Sequence, residues 1–196
     1  MSAGVGAPSG VSRLVLASRS PQRRAILEQL GIEFSVQMPE VAELEEGPPH
    51  EVALENAYRK AAAVAGEGSG GPVLGVDTVV SLGACMYGKP IDEAQARETL
   101  RALSGRRHTV ISGVCLIGED GRSRTAAEST VVQFRPLDTA LLDWYLSSGE
   151  WRERAGGYAI QGRGAALVAR IEGDFLNVVG LPVPALLELA PRLLHG

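Results

Sequence analysis

The run Val73-Leu74-Gly75-Val76-Asp77-Thr78-Val79-Val80 constrains this chain more than any other segment. A short stretch dominated by valine reads as a strand, and this one carries a single charged residue in its middle. Burying the Asp77 carboxylate without a partner is costly. Either it faces a cleft or a cation, or it marks a strand end and hydrogen-bonds to a turn. Lys89 follows in Gly88-Lys89-Pro90, where proline fixes the chain just past the side chain. If the segments flanking Gly83 pair as a hairpin, Asp77 and Lys89 come together. An acidic base beside a cation suits hydrolysis.

A second constraint lies upstream. Leu14 to Ala17 is an apolar run of strand length. Ser20 then reads as a helix N-cap, Pro21 as the first helical residue, Ala25-Ile26-Leu27 and Leu30 as the apolar face, and Gly31 as the stop. The turn presents free backbone N–H groups, the positive end of a helix dipole, the Ser18 and Ser20 hydroxyls, and the guanidinium groups of Arg19, Arg23 and Arg24. That combination suits an anion, phosphate above all. The alternative is a well-capped surface helix that carries arginines.

The remaining pattern alternates strands and helices. Residues 33–37 read as a strand. An acidic loop follows with Glu40, Glu43, Glu45 and Glu46, and then a helix over 51–65 with Ala53, Ala57, Ala61 and Val64 on one face and Lys60 near its end. Residues 66–72 form a flexible loop tip. Asp92 and Gln95 make a capping box for a helix running to Ser104, stopped by Gly105. Residues 108–117 and 125–134 read as an antiparallel pair, 137–146 as a helix, 156–164 as a glycine-rich loop, 165–171 as a strand and 182–194 as a final helix. The fold class is therefore α/β, a mixed twisted sheet flanked by helices. Residues 1–11 read as a disordered tail and 12–196 as a single domain.

The net charge of −4 argues against a broad nucleic-acid or anionic-membrane surface, so phosphate recognition must be a local basic pocket. No stretch approaches a membrane span and no signal-like segment opens the chain, from which a cytosolic location is expected. Cys85 and Cys115 fall in segments that read as neighbouring strands and are expected to be reduced core thiols. His50, His108 and His195 lack a Ser or Cys partner in a recognisable elbow, and read as surface or helix-end residues. The basic residues are arginine except at Lys60 and Lys89, which points to two places where a compact ammonium is needed. Glu40 and Glu43 are candidate metal or water ligands, of the kind Mg²⁺ takes alongside substrate phosphates. Otherwise they are a solvated charge run. Gln161 has an amide able to read a base edge, or serves as a turn residue.

Together these segments resemble the Maf family of septum-formation-inhibitor-related nucleotide pyrophosphatases. The resemblance rests on Leu16-Ala17-Ser18-Arg19-Ser20-Pro21 with Arg23, Pro39-Glu40-Val41-Ala42-Glu43, Gly75-Val76-Asp77-Thr78-Val79-Val80, and Gly88-Lys89-Pro90. It continues through Leu103-Ser104-Gly105-Arg106 with His108, Ala155-Gly156-Gly157-Tyr158-Ala159-Ile160-Gln161-Gly162, and Val178-Val179-Gly180-Leu181-Pro182. It implies two lobes around a cleft, as in inosine triphosphate pyrophosphatases, and cleavage of nucleoside triphosphates to monophosphate and diphosphate with a divalent cation, Mg²⁺ or Mn²⁺. By position, Asp77 is the implied proton acceptor, and Asp77 with Glu43 the implied metal ligands. Ser18, Ser20, Arg23 and Lys89 hold the phosphates, Lys60 supports the site, and Thr78 and Gln161 help choose the base. The Ile-Gln-Gly form of the loop resembles the branch acting on dTTP and UTP.

In one place the chain departs from the family pattern of two arginines after Ser-x-Ser-Pro. The first position, linked to substrate choice, is Gln22, followed by Arg23 and Arg24. Either Arg24 substitutes from the next helical position, or specificity differs. The competing activities are 7-methyl-GTP or noncanonical nucleotide pyrophosphatase. A different class is a nucleotide-binding cell-division regulator without turnover. A homodimer accords with the family.

Overall fold

The computed structural model describes residues 13–66 and 69–194. Strand β1 (Leu14–Ala17) is buried along its whole length, as an all-apolar run requires. Helix α1 (Pro21–Gln29) starts as its sequence predicts: the Ser20 hydroxyl accepts the Arg23 N–H and Pro21 opens the first turn. It ends on Gly31 at φ +68°, where the Gly31 N–H donates to Glu28 O and the Ile32 N–H to Leu27 O. Those two bonds close a Schellman motif that only a residue at ease with positive φ completes without strain.

The remaining elements are β2 (Phe34–Gln37), α2 (Pro49–Ala62), β3 (Val73–Leu82), β4 (Cys85–Tyr87), α3 (Glu93–Leu103), β5 (Arg107–Ile117), β6 (Ser123–Phe134), α4 (Thr139–Leu146), β7 (Val168–Glu172), α5 (Phe175–Val179) and α6 (Val183–Leu189). The seven strands form one mixed sheet in the order β2-β1-β3-β5-β6-β7, with β4 paired to β3. Strand β1 runs parallel to β2 and β3, and the other pairings are antiparallel. The expected mixed sheet flanked by helices is what forms.

Helix α2 lies against one sheet face with its backbone in near contact. A Cβ on Gly75 of β3 would stand 2.1 Å from the Ala57 carbonyl oxygen, and one on Gly113 of β5 2.2 Å from that of Ala53. With Ala53, Ala57 and Ala61 fully buried, the glycines make a trough for the helix. The other face carries two apolar clusters that divide along β3. Leu74 and Val76 pack with Ile26 and Leu27 of α1 and Leu186 and Leu189 of α6. Val80 packs with Leu100 and Leu103 of α3, Tyr145 and Leu146 of α4, and Tyr158 and Ile160. Thr78 falls between them, so the boundary of the two clusters crosses the segment singled out by its sequence.

Several local expectations are corrected. Helix α2 starts and stops earlier than expected, so Lys60 sits within its last turn. Residues Gly162–Leu167 form a 3₁₀ turn and the strand starts only at Val168. The C-terminal region holds two short helices, because Gly180 at φ +131° breaks the chain between them. The α3 cap is a variant: Asp92 accepts the Gln95 N–H at 2.8 Å, while Gln95 Oε1 accepts the Ile91 N–H at 2.8 Å, one residue before the cap. Both cysteines are free thiols, but only Cys115 is buried, and Cys85 is exposed. Their strands lie on opposite edges of β3 and are not neighbours.

His108 is the largest correction. It is buried, edge-on to both Phe134 and Tyr158, with Nε2 2.9 Å from the Tyr158 hydroxyl. His50 is exposed beside Ser129, as expected. The tail expected at 1–11 and His195 lie outside the described residues, as do residues 67 and 68 of the expected loop tip. Among the described residues no helix is long and apolar enough to cross a membrane.

Candidate active site

The sheet leaves a gap where the chemistry collects. Strand β1 pairs with β3 only over Val73–Gly75, and β4 only over Val80–Leu82. Between them Val76–Val79 has β5 on one edge and no strand on the other. The gap opens at the carboxyl end of β1, where the chain turns into α1. In open α/β sheets that is where ligands are held.

Asp77 is 5% exposed, with one partner on each carboxylate oxygen. Its Oδ1 lies 2.5 Å from Lys60 Nζ, and its Oδ2 accepts from Asn56 Nδ2 at 3.2 Å. Lys60 also reaches Glu43 Oε1 at 3.0 Å, so one buried ammonium joins the carboxylates of strand and acidic loop. A carboxylate in a strand interior thus has the cation its sequence demanded. The hairpin around Gly83 does form, with Val80 opposite Tyr87, yet the cation in contact with Asp77 is Lys60. Lys89 is exposed and makes no ion pair among the described residues. Its neighbour Gly88 accepts the Gly156 N–H at 3.0 Å, which ties this end of β4 to the glycine-rich loop.

Arg23 enters the gap from the opposite sheet face. Its Nε donates to Gly180 O at 2.9 Å, one terminal nitrogen to Ser18 Oγ at 3.0 Å and the other to Thr78 Oγ1 at 3.2 Å. Burial lowers the guanidinium pKa, and Asp77 and then Glu43 oppose that by their charge. Arginine has five N–H donors, so two remain for an anion. Thr78 Oγ1 is also 2.9 Å from the fully buried Ser112 hydroxyl. Thr78 therefore links Arg23 to Ser112. Ser20 caps α1 and donates to Gln22 Oε1 at 3.1 Å, so Gln22 folds back over the helix start. Arg24 is exposed on the helix surface.

Gln161 is exposed and immediately precedes the 3₁₀ turn Gly162–Leu167. Glu150 holds that turn, accepting the Arg163 N–H at 2.9 Å and the Gly164 N–H at 3.3 Å. The structure brings together Ser18, Arg23 and Thr78 as one cluster and Glu43, Lys60 and Asp77 as another. It gives Gln161, Lys89 and Glu40 no side-chain contact with either.

Asn56 and Ser112 join the site without being among the residues its sequence marks. Asn56 did carry a signal. It shares a helix face with Lys60 at i,i+4 spacing, a polar residue of poor helix propensity on an alanine-rich buried face. Ser112, inside a strand, carries none.

Among the described residues no group of three or more His, Cys, Asp or Glu side chains converges as a protein-only metal cage. The donors present are the carboxylates of Asp77 and Glu43. That set fits a hard divalent cation which completes its shell with water and substrate phosphate oxygens.

A buried carboxylate oriented by an ammonium and an amide, close to a buried guanidinium with donors to spare, can activate water beside a bound polyanion. The chain is 46% identical to a dTTP/UTP pyrophosphatase of Symbiobacterium thermophilum over 88% of this chain and 90% of that one. It is 42% identical to a dTTP/UTP pyrophosphatase of Pyrococcus furiosus over 91% of this chain and 94% of that one. Among solved structures, a HAM1 protein from Coxiella burnetii is similar over 62% of this chain and 72% of that chain, at 20% identity and a TM-score of 0.45. The family model for Maf-like proteins matches residues 13–193, and the chain belongs to that family.

Proposed function

We propose that this protein is a nucleoside triphosphate pyrophosphatase that cleaves dTTP and UTP to the monophosphate and diphosphate. The observation that carries the chemistry is Asp77, held by Lys60 and Asn56 in a gap that also receives Arg23. The identity to the dTTP/UTP pyrophosphatases supports the reaction and the substrates.

In this reading Asp77 accepts a proton from a water that attacks the α-phosphorus. The new bond is oxygen to α-phosphorus. The bond that breaks joins the α-phosphorus to its bridging oxygen, which leaves with its electron pair on diphosphate. The two unused N–H groups of Arg23 and the N-terminus of α1 neutralise charge on the phosphates, with Ser18 fixing the guanidinium in place. Lys89 supplies a mobile cation at the entrance of the gap. Lys60 holds Asp77 by Oδ1 and aims it. A divalent cation held by Asp77 and Glu43 supplies further charge neutralisation when bound. Gln161, on its loop, reads the base edge.

The test is diphosphate release from a panel of triphosphates, with Asp77→Asn in parallel. The reading expects dTTP and UTP to lead the panel and Asp77→Asn to abolish turnover in a folded protein. Preference for a methylated or noncanonical purine triphosphate overturns the substrate assignment. Nucleotide affinity without turnover in the wild-type chain overturns the enzyme.

A further inference from the structure

We infer that Asn56 is a positioning residue for the proton acceptor, and that it couples the acidic loop to Asp77. This rests on the reading of Asp77 as the base. Asn56 is 2% exposed and uses its oxygen and both amide hydrogens on two partners. Its Oδ1 accepts the Leu44 N–H at 2.7 Å, and its Nδ2 donates to the Leu44 carbonyl at 3.0 Å. The remaining Nδ2 hydrogen reaches Asp77 Oδ2 at 3.2 Å.

The order of these bonds decides the geometry. Pairing with both backbone groups of Leu44 permits only one orientation of the amide, because the N–H needs oxygen and the C=O needs nitrogen. With that orientation fixed, the second N–H has one direction left, and it points at Asp77. Lys60 holds Oδ1 and Asn56 holds Oδ2, so the carboxylate is fixed about its own axis. An ammonium alone, a charge with three rotatable donors, does not define that plane. Glu43, the residue before Leu44, meets Lys60 from the loop the amide clamps. The acidic loop and the base therefore share one pin.

The experiment measures kcat and KM for dTTP, with Mg²⁺, on the full chain and on Asn56→Leu, Asn56→Asp and Asp77→Asn, each with a thermal unfolding curve. Leucine matches the amide in size and removes every bond. Aspartate keeps an acceptor for the Leu44 N–H and removes both donors, to the Leu44 carbonyl and to Asp77. The inference expects Asn56→Leu to lower kcat about a hundredfold with KM little changed, the loss that a small misplacement of a reacting group brings. It expects Asn56→Asp to be no better, even though it keeps one of the two bonds to the loop.

Either variant folded with wild-type kcat overturns the inference, as does a loss confined to KM. Activity in Asn56→Asp well above that of Asn56→Leu overturns it too, because the amide then serves only the loop. Should Asn56→Leu not fold, Asn56→Asp decides on the same criteria. Turnover retained by Asp77→Asn sinks the base assignment, whereas a dead Asp77→Asn beside a fully active Asn56→Leu sinks only the role of Asn56.

Discussion

Replacing Gly75 by alanine tests whether α2 places the site. The added Cβ would lie 2.1 Å from the Ala57 carbonyl oxygen, 2.7 Å from the Ala61 nitrogen and 2.9 Å from the Ala61 Cβ. A carbon needs about 3.3 Å or more from a carbonyl oxygen, so the helix must retreat by about 1 Å. No side-chain rotation relieves the clash, because the nearest atoms are backbone. Overpacking of this kind costs about 1–3 kcal/mol, and the rigid neighbour places Gly75→Ala near the upper end. For a chain of this size about 2–3 kcal/mol lowers Tm by roughly 4–12 °C.

The functional loss should exceed the stability loss. Asn56 and Lys60 ride on the displaced helix, and an error of about 1 Å at the reacting groups lowers turnover by about a hundredfold. Thermal unfolding and diphosphate release on the same preparation give both quantities. Gly66→Ala, where an added methyl meets nothing within 4 Å among the described residues, serves as the control. A Gly75→Ala protein with unchanged Tm and full turnover would refute the argument that close helix–sheet contact aims Lys60 and Asn56 at Asp77.

Three other substitutions probe separate parts of the account. Burial lowers the His108 pKa to about 4 in the folded protein, so between pH 6.5 and 4 the unfolded chain binds a proton that the folded one refuses. Stability should fall by about 3 kcal/mol as pH drops through that window and level off below it, and His108→Phe should abolish this component. Chemical denaturation at a series of pH values reads it directly. Lys60→Met strands the buried Asp77 carboxylate and should destabilise the fold by about 3–5 kcal/mol, with most of the loss recovered by adding Asp77→Asn. No recovery in the double variant would contradict the ion pair. Glu150→Ala frees the turn after Gln161 and should narrow the ratio of kcat/KM between dTTP and a purine triphosphate, with little change in stability; an unchanged ratio would remove Gln161 from base choice.

Local chemistry was legible where it is local. Ser20, Pro21 and Gly31 define α1 by cap, fixed φ and positive φ, and each acts within a few residues of itself. The need of Asp77 for a cation was equally visible, since no strand interior tolerates a bare carboxylate. Which cation it meets was not. The hairpin favoured Lys89, near in sequence, while Lys60 reaches Asp77 because Gly75 and Gly113 let a whole helix settle onto the sheet. That contact belongs to tertiary packing: helical spacing puts Lys60 on the buried face of α2 but does not say which strand residue it meets. His108 misled for a related reason: lacking a Ser or Cys partner it read as a surface or helix-end residue, yet pairing with Val132 turns the ring under Phe134 and Tyr158. Thr78 was singled out by its sequence, and its hydroxyl contacts Arg23 and Ser112.

The most direct test follows the oxygen. Hydrolysis of dTTP in ¹⁸O-labelled water, read by mass spectrometry of both products, locates the attacked phosphorus. Attack at the α-phosphorus by the water that Asp77 deprotonates puts the label in the nucleoside monophosphate, and Asp77→Asn should yield neither labelled product. Label in the diphosphate, or undiminished labelling with Asp77→Asn, would contradict the account.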